Sequence, residues 1–138
     1  MLLGALVVRA EDAAWSTDAA QAQRQAKAEK KLVLLDFTGS DWCGWCVRLK
    51  KEVFGKPEFA EYAKRNLVLV EVNFPKGKEI SAEQEKANNA LASKFQVEGF
   101  PTLIILDGTG RKLGELGYVA GGPKAFIAEL EKLEKNVR

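Results

Sequence analysis

The segment SDWCGWC, residues 40–46, holds both cysteines of this 138-residue chain, Cys43 and Cys46. Two thiols three positions apart have three uses: half of a metal site, a structural bridge, or a dithiol that cycles with its disulfide. A metal site would need further cysteine or histidine ligands, and the chain has no histidine and no third cysteine. The same absence removes imidazole as a general base. A structural bridge is a poor use of the pair. In the chain-entropy model a four-residue loop stabilises by only about 2 kcal/mol, against about 4.7 for a loop of a hundred residues. The spacing suits a bond that opens and closes; two unreactive thiols or a structural disulfide are the plainer alternatives.

Such chemistry needs one sulfur that reacts as thiolate, so the elements around the pair matter. KLVLLDF, residues 31–37, is a continuous apolar run, the pattern of a central strand covered on both faces. A helix is expected from Cys43 to about Phe54. Cys43 then sits at the helix N-terminus, where free N–H groups and the macrodipole favour negative charge. Cys46 follows one turn later on the same face, so Cys43 is expected at the open end and Cys46 one turn deeper. Lowering a thiol pKa from about 8.5 to about 7 raises its thiolate fraction at pH 7 roughly 16-fold. Nucleophilicity per thiolate falls about 5- to 6-fold over that shift, leaving a net gain of about threefold. The larger benefit is that Cys43 becomes a good leaving group when Cys46 attacks it.

The remaining elements alternate. Asp18 and Gln21 have capping-box spacing before an Ala/Gln/Lys-rich helix that runs to about Lys30. A short helix is expected from Pro57, a strand over 66–74, and a helix from Ser81 to about Phe95. A strand over 102–107, the turn DGTG and a strand over 112–117 make a hairpin, and a last helix starts near Pro123. The fold class is therefore α/β: a mixed, four- to five-stranded central sheet with helices on both faces, parallel in its first half and antiparallel in its second. The length suits one domain, residues 11–138. Residues 1–10 form a short apolar stretch ending in VRA, expected to be a signal segment cut after Ala10 and to direct the chain to the periplasm or outside the cell. The alternatives are an N-terminal strand or a disordered end, and then a cytoplasmic protein. A net charge of +2, with interleaved signs, makes no electrostatic case for nucleic acid.

LLDFTGSDWCGWC followed by VEGFPTLIIL resembles the thioredoxin superfamily, over roughly residue 26 to the C-terminus. WCGWCVRLKKEVFGKPEFAEYAKRNLVLVEVNF is especially similar to periplasmic thioredoxin-like domains, including the electron-receiving domain of transmembrane thiol–disulfide reductases. The resemblance implies the thioredoxin fold and exchange of the CxxC dithiol with protein disulfides, leaning toward reduction or isomerisation. Cys43 is then the attacking cysteine and Cys46 the resolving one. Pro101 is the cis-proline beside the site, and Phe100 offers backbone groups to an extended substrate chain. Asp36 matches the buried acid beneath the motif, which takes the Cys46 proton; an exposed strand-end aspartate is the alternative. Glu71 stands where thioredoxin has lysine, a departure from the usual acid–lysine arrangement. Trp42 matches a family tryptophan that shields the sulfurs, and Trp45 either contacts substrate or packs on its own helix. No cofactor or metal is implied beyond the redox-active pair. The implied partners are protein disulfides and a membrane thiol–disulfide reductase as electron donor, with the chain a monomer. The competing class is a non-catalytic peptide-binding module of the same fold, docking through Trp45 and Phe100.

Overall fold

Three apolar, β-branched-rich runs become the middle of a five-stranded sheet in the computed structural model, which describes residues 13–135. The strands are β1 (Trp15–Ser16), β2 (Leu32–Thr38), β3 (Leu67–Asn73), β4 (Thr102–Leu106) and β5 (Lys112–Leu116). Their spatial order is β1-β3-β2-β4-β5. β3 pairs parallel with β1 and β2, while β4 runs antiparallel to both β2 and β5. The mixed sheet thus has the expected parallel and antiparallel halves. The expected signal segment, residues 1–10, lies outside the described residues.

The helices are α1 (Ala19–Glu29), α2 (Gly44–Leu49), α3 (Pro57–Asn66), α4 (Ala82–Lys94) and α5 (Gly122–Lys135). Asp18 caps α1 by accepting the Gln21 N–H at 3.0 Å, and Ser81 caps α4 by accepting that of Gln84 at 3.0 Å. The motif helix departs from expectation in its second half: over Lys50–Phe54 it widens into a π-helical turn. At the hairpin, Asp107 accepts N–H bonds from Thr109 and Arg111, and Gly110 takes the left-handed φ of 90° that the turn requires.

Strand parity divides the core. Val33, Leu35 and Phe37 of β2 pack with Ala22 and Ala26 of α1 on one face. Leu34 packs with Leu49, Phe59, Phe126 and Leu130 on the other. The second face is apolar at Leu32 and Leu34 and turns polar at Asp36 and Thr38; β3 repeats this with Leu67 and Leu69, then Glu71 and Asn73. Parallel register sets Asp36 beside Glu71 and Thr38 beside Asn73. All four polar residues lie toward the C-terminal ends of the strands, the end where open α/β sheets place their binding sites.

Candidate active site

Cys43 and Cys46 form a disulfide with their Cα atoms 5.2 Å apart. Cys43 has extended backbone and is the N-cap of α2, so its Sγ meets the first free N–H groups of the helix and accepts that of Cys46 at 3.2 Å. Both residues are nearly covered, at 8% and 6% exposure, a difference too small to rank their depth. What differs is what they face. Cys46 lines a cavity of about 550 Å³ beneath the motif, together with Asp36, Thr38, Lys50 and Glu71.

Asp36 is buried, which settles the alternative of an exposed strand end. Its Oδ1 has no hydrogen-bond partner. Burial pushes the carboxyl up to about 7; the neighbouring Glu71 charge adds to this and Lys50 opposes it. A buried carboxyl that titrates near neutrality beside a reactive sulfur has the proton affinity of a general base.

The loop before Cys43 is fastened by contacts that sequence reasoning missed. Asn73 and Ser40 exchange two bonds, the Ser40 N–H donating at 3.0 Å and the Asn73 amide donating to Ser40 Oγ at 2.7 Å. Asn88 of α4, itself buried, donates to the Asn73 carbonyl at 2.9 Å. The Asp41 carboxylate accepts the N–H groups of Lys76 and Gly77 at 3.0 and 2.6 Å, which lower its pKa. This binds the loop after β3 to the motif. The only signal in the sequence was the cluster of short polar residues on either side of the strand ends.

Trp42 and Trp45 flank the disulfide and are 42% and 54% exposed. Trp42 donates its indole N–H to the Phe74 carbonyl at 2.7 Å, meets Phe100 edge-on, and carries the Lys76 ammonium 4.0 Å above its ring centroid. Gly39 admits this arrangement, since a Cβ there would lie 2.4 Å from the Trp42 ring. Trp45 packs not on its own helix alone but across to Tyr118, with ring centroids 4.9 Å apart. The Arg48 guanidinium covers both rings, and Glu52 joins Arg48 at 2.7 Å and the Tyr118 hydroxyl. The Phe100–Pro101 bond is cis, and Phe100 stacks on Phe74 with centroids 5.2 Å apart. Phe74, Phe100 and Trp42 therefore form one aromatic wall beside the disulfide.

Residues 19–134 match the family model described as Thioredoxin-like domain. The chain belongs to this family. It is 34% identical over 116 residues to the disulfide bond reductase DsbH of Chlamydia pneumoniae, covering 84% of this chain and 70% of that protein. It is 33% identical to the thioredoxin-related protein DsbJ of the same organism, over 75% of this chain but only 30% of that longer one. A solved structure titled DsbH oxidoreductase superposes with a TM-score of 0.85 at 33% identity, covering 91% and 86% of the two chains. The thioredoxin-like domain thus carries its CxxC pair where strand β2 delivers the chain to a helix N-terminus. Its departure is the partner of the buried acid: β3 supplies Glu71, and the cation that acts on Asp36 comes instead from the motif helix as Lys50.

Proposed function

We propose that Cys43 attacks and Cys46 resolves in a domain that reduces protein disulfides. The domain is a thiol–disulfide oxidoreductase of the thioredoxin-like family, with Cys43–Cys46 as its redox pair. One observation carries the assignment of roles: only Cys46 shares the cavity with Asp36, while Cys43 Sγ is held at the helix N-cap.

In the dithiol form the Cys46 N–H and the helix end stabilise the Cys43 thiolate. That thiolate attacks one sulfur of a substrate disulfide. The Cys43–substrate bond forms, the substrate S–S bond breaks, and the first substrate sulfur leaves as thiolate. Asp36 takes the proton of Cys46, whose sulfur attacks Cys43. The Cys43–Cys46 bond forms and the second substrate sulfur leaves. Both leaving thiolates take protons from solvent, to which Asp36 and Cys43 have returned theirs. The substrate gains two electrons and the pair loses two, so an external dithiol must restore it.

Trp42, Trp45, Phe100 and Pro101 form the rim on which a substrate chain docks. The name of the Chlamydia relative, a disulfide bond reductase, supports the reducing direction. The domain works outside the cytoplasm, where disulfides persist, and residues 1–10 are its export signal. Its electron donor is a membrane thiol–disulfide reductase. Titration of the Cys43–Cys46 pair against a glutathione redox series tests the direction. A reductase gives a potential near the −270 mV typical of thioredoxins; a value near about −120 mV would make the domain an oxidant and overturn the proposal.

A further inference from the structure

The cavity under the disulfide holds three charged residues from three elements. Asp36 comes from β2, Glu71 stands beside it in register on β3, and Lys50 comes from the motif helix where it widens. Cys46 lines the same cavity, and its sulfur is the group there whose oxidation state the exchange reaction changes. The residue in register with Asp36 on β4 is the apolar Leu103, so no further charge approaches from that side. At about 550 Å³ the cavity is far larger than the roughly 10–15 Å³ of accessible space that a water needs, and its mixed lining sets Asp36, Lys50 and Glu71 among apolar groups such as Trp15 and Phe54.

The charges do not act alike. Glu71 and Lys50 each lie within electrostatic reach of Asp36, and no ion pair joins Asp36 to Lys50 among the described residues. Glu71 makes loss of the Asp36 proton harder and Lys50 makes it easier. Asp36 Oδ1 is left without a partner, so the neighbouring charges are not masked by a fixed hydrogen bond there.

We propose that Glu71 and Lys50 are positioning residues for the resolving step, setting with opposite sign how tightly Asp36 holds the proton it takes from Cys46. This rests on the reading of Asp36 as the base. A base that holds protons too weakly leaves Cys46 a thiol; one that holds them too tightly is already protonated at neutral pH. The opposed pair keeps Asp36 between these limits. It does so without a lysine on β3, because the cation is supplied from the helix that carries the sulfurs.

The test is single-turnover release of the second thiol from a mixed disulfide formed on Cys43 of the full chain, followed by stopped flow from pH 5 to 9. In Glu71→Gln the pH midpoint of release moves down, and in Lys50→Gln it moves up, each by about half a unit or more. Glu71→Asp and Lys50→Arg keep the charge and restore the midpoint. A disturbance of packing would not move the two midpoints in opposite directions. Asp36→Asn separates the possible failures. If it removes the midpoint near neutrality while the Glu71 and Lys50 variants leave theirs unmoved, the inference is wrong and Asp36 remains the base. If the Asp36 variant keeps the midpoint, Asp36 is not the base and the inference falls with it.

Discussion

Cys46 and Asp36 line the same cavity beneath the disulfide, and Cys43 does not. Their near-equal exposure would not have separated the two sulfurs. The separation lies in what each one faces: Cys43 has the end of a helix, and Cys46 has a carboxyl without a partner on Oδ1.

Asp36 makes folding stability depend on pH. Its carboxyl titrates near 3.8 in the unfolded chain and at about 7 when folded. Between these values the folded state keeps a proton that the unfolded state has released, so stability falls as pH rises. The full cost, about 4 kcal/mol, is present above the folded value. Asp36→Asn removes this dependence. Thermal unfolding of the oxidised protein is expected to show the variant gaining on the parent between pH 5 and pH 8.5. A constant difference across that range would contradict the raised proton affinity.

Gly39 is required by the ring of Trp42. A methyl group there meets the indole at 2.4 Å, and the backbone of Gly39 is buried. Gly39→Ala is expected to cost about 1–3 kcal/mol in urea unfolding and to displace Trp42 from its bond to Phe74. Unchanged tryptophan fluorescence together with unchanged stability would show that the ring does not need the space.

Asp41 holds the loop after β3 against the motif. In Asp41→Ala the amides of Lys76 and Gly77 are expected to exchange faster with deuterium, while those of β2 and β3 keep their protection. In the parent the same loosening appears on acidification, as the pH falls through the depressed pKa of Asp41. Equal protection of both amides in variant and parent would remove the clasp.

The sheet centre and the sulfur pair were legible because each is written locally. β2, β3 and β4 are apolar runs with sharp polar ends, and the two cysteines are three residues apart. β1 was not legible: two residues, Trp15 and Ser16, become a strand only by pairing with Leu69 and Val70. The widening at Lys50–Phe54 leaves no mark in helix propensity. The Ser40–Asn73–Asn88 chain joins residues far apart in sequence, and so does the packing of Trp45 on Tyr118. Such contacts depend on the finished fold. Cys46 as the deeper sulfur followed from helix spacing alone, and the near-equal exposure of the two residues neither ranks nor reverses it.

Trp45 is the most exposed of the large apolar side chains near the pair. Its packing on Tyr118 and under Arg48 holds the ring in place as a contact surface. Trp45→Ala is expected to lower kcat/KM about fivefold for a protein disulfide, the equivalent of about 1 kcal/mol. Glutathione disulfide, which has little chain to dock on the rim, is expected to react near the parent rate. An equal loss with both substrates would assign Trp45 to the redox pair and not to docking.

The unequal roles of the two sulfurs are tested most directly by intact-mass analysis of Cys46→Ala and Cys43→Ala, each reduced and then mixed with a disulfide-bonded protein substrate. Cys46→Ala is expected to accumulate a one-to-one covalent adduct through Cys43, which reducing agent releases, because the thiol that would resolve it is gone. Cys43→Ala is expected to stay as free protein, since its remaining thiol faces the cavity under the motif and lacks the helix-end N–H. An adduct that accumulates faster on Cys43→Ala than on Cys46→Ala would reverse the assignment of attacking and resolving cysteines.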